Sequence, residues 1–90
     1  MDKIAEIAER TVSLGAKYPY DAPDAWWNSS GDNPPQATDW AHAAARGVLA
    51  DLTDRRGIKH GFSDLDEDIR AEIVGSIAAI IRAAKHLNGE

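Results

Sequence analysis

Apolar residues recur at helical spacing in three stretches of this 90-residue chain, and nowhere alternate as a half-buried strand would. Ile4, Ile7, Ala8 and Leu14 predict a first helix over about residues 3–14, with Gly15 placed to end it in a left-handed cap. Ala41, Ala44, Ala45, Val48, Leu49 and Leu52 form the inward stripe of a second helix over about 39–56, with Thr38 as N-cap and Asp39 in its first turn. Gly57 suits the position after its end, where Ile58 can fold back onto Leu52. The third helix, over about 65–87, has the clearest pattern, with acids at its start, Lys85 and His86 near its end, and Asn88-Gly89 to close it. Asp64 and Glu67 have the spacing of a capping box. Its apolar positions fall in two rows: Ile69, Ile73, Ile77, Ile80 and Ala84, then Val74, Ala78 and Ile81. An arc that wide asks for partners on two sides. The expected fold is all-α: a single small domain of three main helices, the third the longest.

Between the first two helices, residues 15–38 are broken by Pro19, Pro23, Pro34 and Pro35, which forbid a continuous helix. A single helical turn opening at Pro23 and carrying Trp26 and Trp27 fits proline's preference for the first helical position. Five of the six aromatic residues, Tyr18, Tyr20, Trp26, Trp27 and Trp40, lie in or just after this segment. A structureless loop of this length is uncommon in a small domain, and disordered segments are poor in aromatics. The loop is therefore expected to be pinned to the bundle, with at least one of Trp26 and Trp27 packed inward and Trp40 in the core or at the hinge into the second helix.

Much of the 43% hydrophobic content is alanine, so the core is thin, and self-association through the third helix is the expected remedy. With no cysteine, neither disulfides nor thiolate metal sites enter. No signal-peptide pattern or membrane-length apolar run occurs, which points to a soluble, cytoplasmic protein without membrane partners. His42, His60 and His86 share no metal-ligand spacing, and no serine is placed as a nucleophile. A non-enzymatic protein without cofactors is the expectation.

The net charge of −5 argues against direct nucleic-acid binding. The one basic knot is Arg55, Arg56, Lys59 and His60 around Gly57, where guanidinium, ammonium and imidazole groups suit a phosphate or carboxylate. Cations at a helix C-terminus also have a simple electrostatic reason, and Asp51 stands at the i,i+4 position to pair with Arg55. Joined to a stacking Trp26 or Trp27, the knot supplies both ingredients of a nucleotide-like site. Asp64, Asp66, Glu67 and Asp68 form the opposite candidate, an acidic face that favours the helix dipole and fits a basic protein partner.

From Asp39-Trp40-Ala41 through Asp51-Leu52, Asp54 to His60, Asp66 to Arg70, Glu72-Ile73-Val74 and Ile80-Ile81-Arg82, the chain resembles small proteins of bacteriophages and proteobacterial prophages that carry a DRRGIKH-type segment. The resemblance covers about half the chain and brings no site roles; it implies a phage-type accessory protein. Two functions are therefore expected in order: a host-defence antagonist that sequesters a small anionic, nucleotide-like ligand, then an acidic inhibitor docking on a basic partner such as a nucleic-acid-binding complex.

Overall fold

The computed structural model describes residues 3–55, 61, 62 and 64–88. Four helices stand among them: α1 (Lys3–Lys17), the single turn α2 (Asp24–Trp27), α3 (Trp40–Thr53) and α4 (Glu67–Leu87). The described chain is all-helical, with α4 the longest element, and none of these helices is long and apolar enough to cross a membrane.

The middle helix α3 packs on α1 with one face and on α4 with another. Toward α4 it presents Ala41, Ala45 and Leu49, which bury completely against Val74 and Ala78. Tyr20, Phe62, Ile73, Ile77 and Ile81 close around this cluster from its edges. The second α4 row is thus the buried one. From the first, Ile69 and Ile80 remain 43% and 66% exposed, so α4 meets a partner on one side and keeps an apolar margin on the other. Within the predicted α3 stripe, Val48 faces outward, and Ala44 and Leu52 are only half-buried.

The face of α3 toward α1 was not foreseen. Gly15 does not cap α1, which continues to Lys17; it is the buried point where α1 crosses α3. A Cβ there would lie 2.6 Å from the carbonyl carbon and 2.7 Å from the carbonyl oxygen of Arg46. Opposite it, a Cβ on Gly47 would meet Val12 Cγ2 at 3.2 Å. Two glycines therefore let two backbones approach, with Val12 against Gly47, while Ile4, Ile7 and Leu14 stay exposed. The helix stops before Pro19, whose ring cannot continue it.

The other helix ends also differ from expectation. Pro23 occupies the N-cap of α2 rather than its first turn, and the Asp24 N–H is taken by Glu67 Oε1 at 2.8 Å. Asp39, not Thr38, caps α3, its carboxylate accepting the His42 N–H at 2.9 Å. At the start of α4 the cap is Asp66, without a side-chain bond, so the Asp64–Glu67 capping box is not formed: Glu67 serves α2 instead. Asn88 closes α4 as expected, at its C-cap. α3 ends at Thr53, and the Gly57–Ile58 ending lies outside the described residues.

Candidate functional site: an aromatic cleft held by two arginines

Two arginines, rather than the tryptophans, fix the aromatic segment. Arg46 projects from α3 and is 5% exposed. Its Nε–H donates to Asp21 Oδ1 at 2.6 Å and its Nη1–H to the Pro35 carbonyl at 2.8 Å, tying both ends of the loop to one side chain. Arg70 does the same from α4: Nε–H to the Tyr20 carbonyl at 3.0 Å, Nη1–H to the Leu65 carbonyl at 2.7 Å, and Nη2–H to the Ala22 carbonyl and Asp24 Oδ1 at 3.0 and 2.8 Å. A planar fork of five N–H donors suits this work, because turn carbonyls have no ladder to pair with. Pro19 and Ala22 are thereby buried, and the Tyr20 hydroxyl donates to the Phe62 carbonyl at 2.8 Å. Burial pushes the Tyr20 phenol above its ordinary pKa, with Arg70 pulling the other way.

The strapped segment walls a cleft of about 420 Å³, with Leu49 and Ala50 of α3 at its base and Tyr18, Tyr20, Trp27 and Phe62 around it. That volume and an aromatic lining with few polar groups are typical of small-molecule sites. The Arg70 guanidinium reaches the same cleft but is already engaged by four acceptors. That leaves at most one Arg70 N–H, on Nη1, for the charge of a ligand.

Of the residues singled out in the sequence, Trp27 reaches this cleft and is 42% exposed. Trp26 stands edge-on to it, ring centroids 4.8 Å apart, half-buried with its indole N–H donating to the Asp32 carbonyl at 3.1 Å. Neither belongs to the core, contrary to the expectation of an inward-packed Trp. Trp40 is not core either: it is 49% exposed, with the Lys85 ammonium 4.6 Å and the Arg82 guanidinium 5.6 Å from its ring centroid. Arg55 is exposed and makes the bidentate i,i+4 pair with Asp51, at 3.0 and 3.3 Å. Arg56, Lys59 and His60 lie outside the described residues. Asp64, Asp66 and Asp68 are exposed, whereas Glu67 is half-buried and committed to α2.

A second polar cluster stands at the start of α3. Asp39 accepts from His42 through its ring Nδ1 and its backbone N–H, both at 2.9 Å, and is paired with Arg82. The His42 ring bond first, then its N–H and the Arg82 guanidinium, hold the Asp39 carboxyl well below the usual carboxylate range. A depressed folded-state pKa means that its stabilisation is complete above the unfolded carboxylate value, about 4, and is lost as pH falls through the folded value. Asp39→Asn is therefore expected to flatten the acid limb of the stability curve below about pH 4. Thermal melts across that range check it; an acid limb that superposes on the wild type's would contradict the assignment.

Among the described residues no group of three or more His, Asp or Glu side chains is arranged to hold a metal ion. Comparison with protein-family models, curated proteins and solved structures finds no match to this chain.

Proposed function

We propose that this is a non-enzymatic accessory protein of phage type, a host-defence antagonist that acts in the host cytoplasm by binding and sequestering a small anionic, nucleotide-like ligand. The observation that carries the reading is the 42% exposed Trp27 on an aromatic cleft of about 420 Å³ that Tyr18, Tyr20 and Phe62 also line. The ligand's ring stacks in this cleft. Its anionic group pairs with the basic run from Arg55 to His60, because the Arg70 guanidinium is already shared among four acceptors, one of them the Asp24 carboxylate. A non-catalytic role suits a cleft whose two charged side chains, Arg70 and Asp24, are paired with each other.

Titration with mono-, di- and cyclic nucleotides tests this through tryptophan fluorescence. Binding is expected to quench the signal and to weaken with added salt. Trp27→Ala should reduce affinity by about 1–3 kcal/mol, the value of one base–aromatic stack. Arg55→Glu with Arg56→Glu should abolish binding. A panel giving neither quench nor thermal shift would remove the reading.

One observation favours the alternative, an acidic inhibitor of a basic partner: Asp64, Asp66 and Asp68 stand exposed and without a side-chain ion-pair partner among the described residues. Asp64→Lys with Asp68→Lys separates the two functions without touching Glu67. It should spare ligand binding and abolish partner docking. Self-association through α4 belongs to either reading, with Ile69, Ile80 and Leu87 exposed along that helix.

A further inference from the structure

α4 is covered along one side. Val74 and Ala78 are buried against α3, while Ile69, Ile73, Ile77, Ile80, Ala84 and Leu87 follow one another at steps of three and four residues along another face. Ile73 and Ile77 reach the core with one edge, whereas Ile69, Ile80 and Leu87 are 43%, 66% and 82% exposed. The row runs for about 27 Å along the helix, at about 1.5 Å per residue. Apolar residues at this spacing form the seam along which two helices pack, and among the described residues only α4's own side of that seam is present.

The row is complementary to its own reverse. Laid antiparallel on a second copy, Ile69 falls opposite Leu87, Ile73 opposite Ala84 and Ile77 opposite Ile80, so every position is answered. A surface that matches its own reverse suits a two-fold pair, in which each contact occurs twice. Charge fixes the same direction. At helical spacing Asp68, Glu72 and His86 lie along one flank of the row, exposed and without an ion-pair partner among the described residues. Antiparallel pairing sets the partner's His86 between Asp68 and Glu72. Parallel pairing would set each acid against its own copy and align the two helix dipoles. We infer that a second copy of this chain covers the row, the two α4 helices running antiparallel about a two-fold axis that passes between Ile77 and Ile80. The inference rests on the self-association through α4 proposed above and adds its face and its direction.

The chain has no cysteine, so one introduced thiol carries a unique spin label. Ala79→Cys and Asp68→Cys both use exposed positions of α4 in the full-length protein. In the antiparallel pair the two labels at 79 stand beside the axis, under about 20 Å apart, and those at 68 stand at least about 30 Å apart. Electron–electron double resonance reads both distances. Ile80→Lys, at a 66% exposed position, should weaken dimerisation at least about 30-fold by light scattering, the loss typical of a central apolar contact, with helical circular dichroism unchanged. Nucleotide binding enters neither measurement, so a failure of the ligand reading leaves this test standing. A wild-type monomer at the labelling concentration would overturn the inference together with self-association. A dimer with short distances at both positions would overturn the direction, and Ile80→Lys dimerising as the wild type does would overturn the face.

Discussion

Arg70→Lys is expected to cost about 3 kcal/mol of stability, although it keeps the charge, because removing one member of a buried polar set strands the others. The guanidinium answers the Tyr20, Leu65 and Ala22 carbonyls at once, and an ammonium on a flexible stem cannot reach three acceptors spread along a plane. The ion pair with Asp24 carries little of this loss, since that carboxylate is 60% exposed and screened by water. Asp24→Asn should accordingly cost less than about 1 kcal/mol. For a domain of this size, 3 kcal/mol corresponds to a fall in melting temperature of roughly 15 °C. Urea denaturation of both variants reads the difference; equal losses would show that the charge, and not the fork, does the holding.

Gly15→Val should be comparably damaging, at about 3 kcal/mol, the upper part of the usual range for overpacking. The atoms a side chain would strike are the Arg46 carbonyl group and the Gly47 nitrogen, at 2.6–2.8 Å. These are backbone atoms of α3 and cannot turn aside as a rotamer can. The only relief is to lift α1 away, and α1 has no other buried residue to hold it. Gly75→Ala makes the internal comparison, since nothing lies within 4 Å of a Cβ there. It should gain up to about 1 kcal/mol from helix propensity alone. Chemical denaturation of the pair distinguishes a packing glycine from a capping one: a loss below about 1 kcal/mol for Gly15→Val would mean that the crossing is not tight.

What the sequence made legible follows from what periodicity encodes. α3 and α4 were readable because Ala41, Ala45, Leu49 and Val74, Ala78 repeat at helical spacing over several turns. Which of α4's two apolar rows faces inward was not readable, because either row satisfies the same period. Gly15 was misread for a related reason: near the end of an apolar run, a glycine that packs and a glycine that caps have the same local signature. The small residue opposite it, Gly47, lies far away in the chain and is paired with it only by the fold.

The straps were hidden more deeply. Arg46 stands between the buried Ala45 and Gly47, the one signal that could have found it, whereas Arg70 follows the exposed Ile69 and has no such signal. Their acceptors are mostly backbone carbonyls of the loop, which every residue type carries and no pattern reveals. The concentration of aromatics did identify the segment that forms the cleft, but not which ring would line it. Tyr20 and Phe62, one in the loop and one beyond α3, meet edge-to-face at 6.1 Å and complete its wall.

Backbone hydrogen exchange at Ala22 tests the strapped aromatic segment most directly. Its N–H donates to the Pro19 carbonyl at 3.1 Å, and the residue is 1% exposed beneath the two arginines. If Arg46 and Arg70 hold the loop as part of the fold, Ala22 should open only with the helices and exchange within about tenfold of the rate at Leu49 in α3. Exchange at Ala22 as fast as in an unstructured chain, with Leu49 still protected, would show that the segment opens independently and that the cleft has no fixed wall.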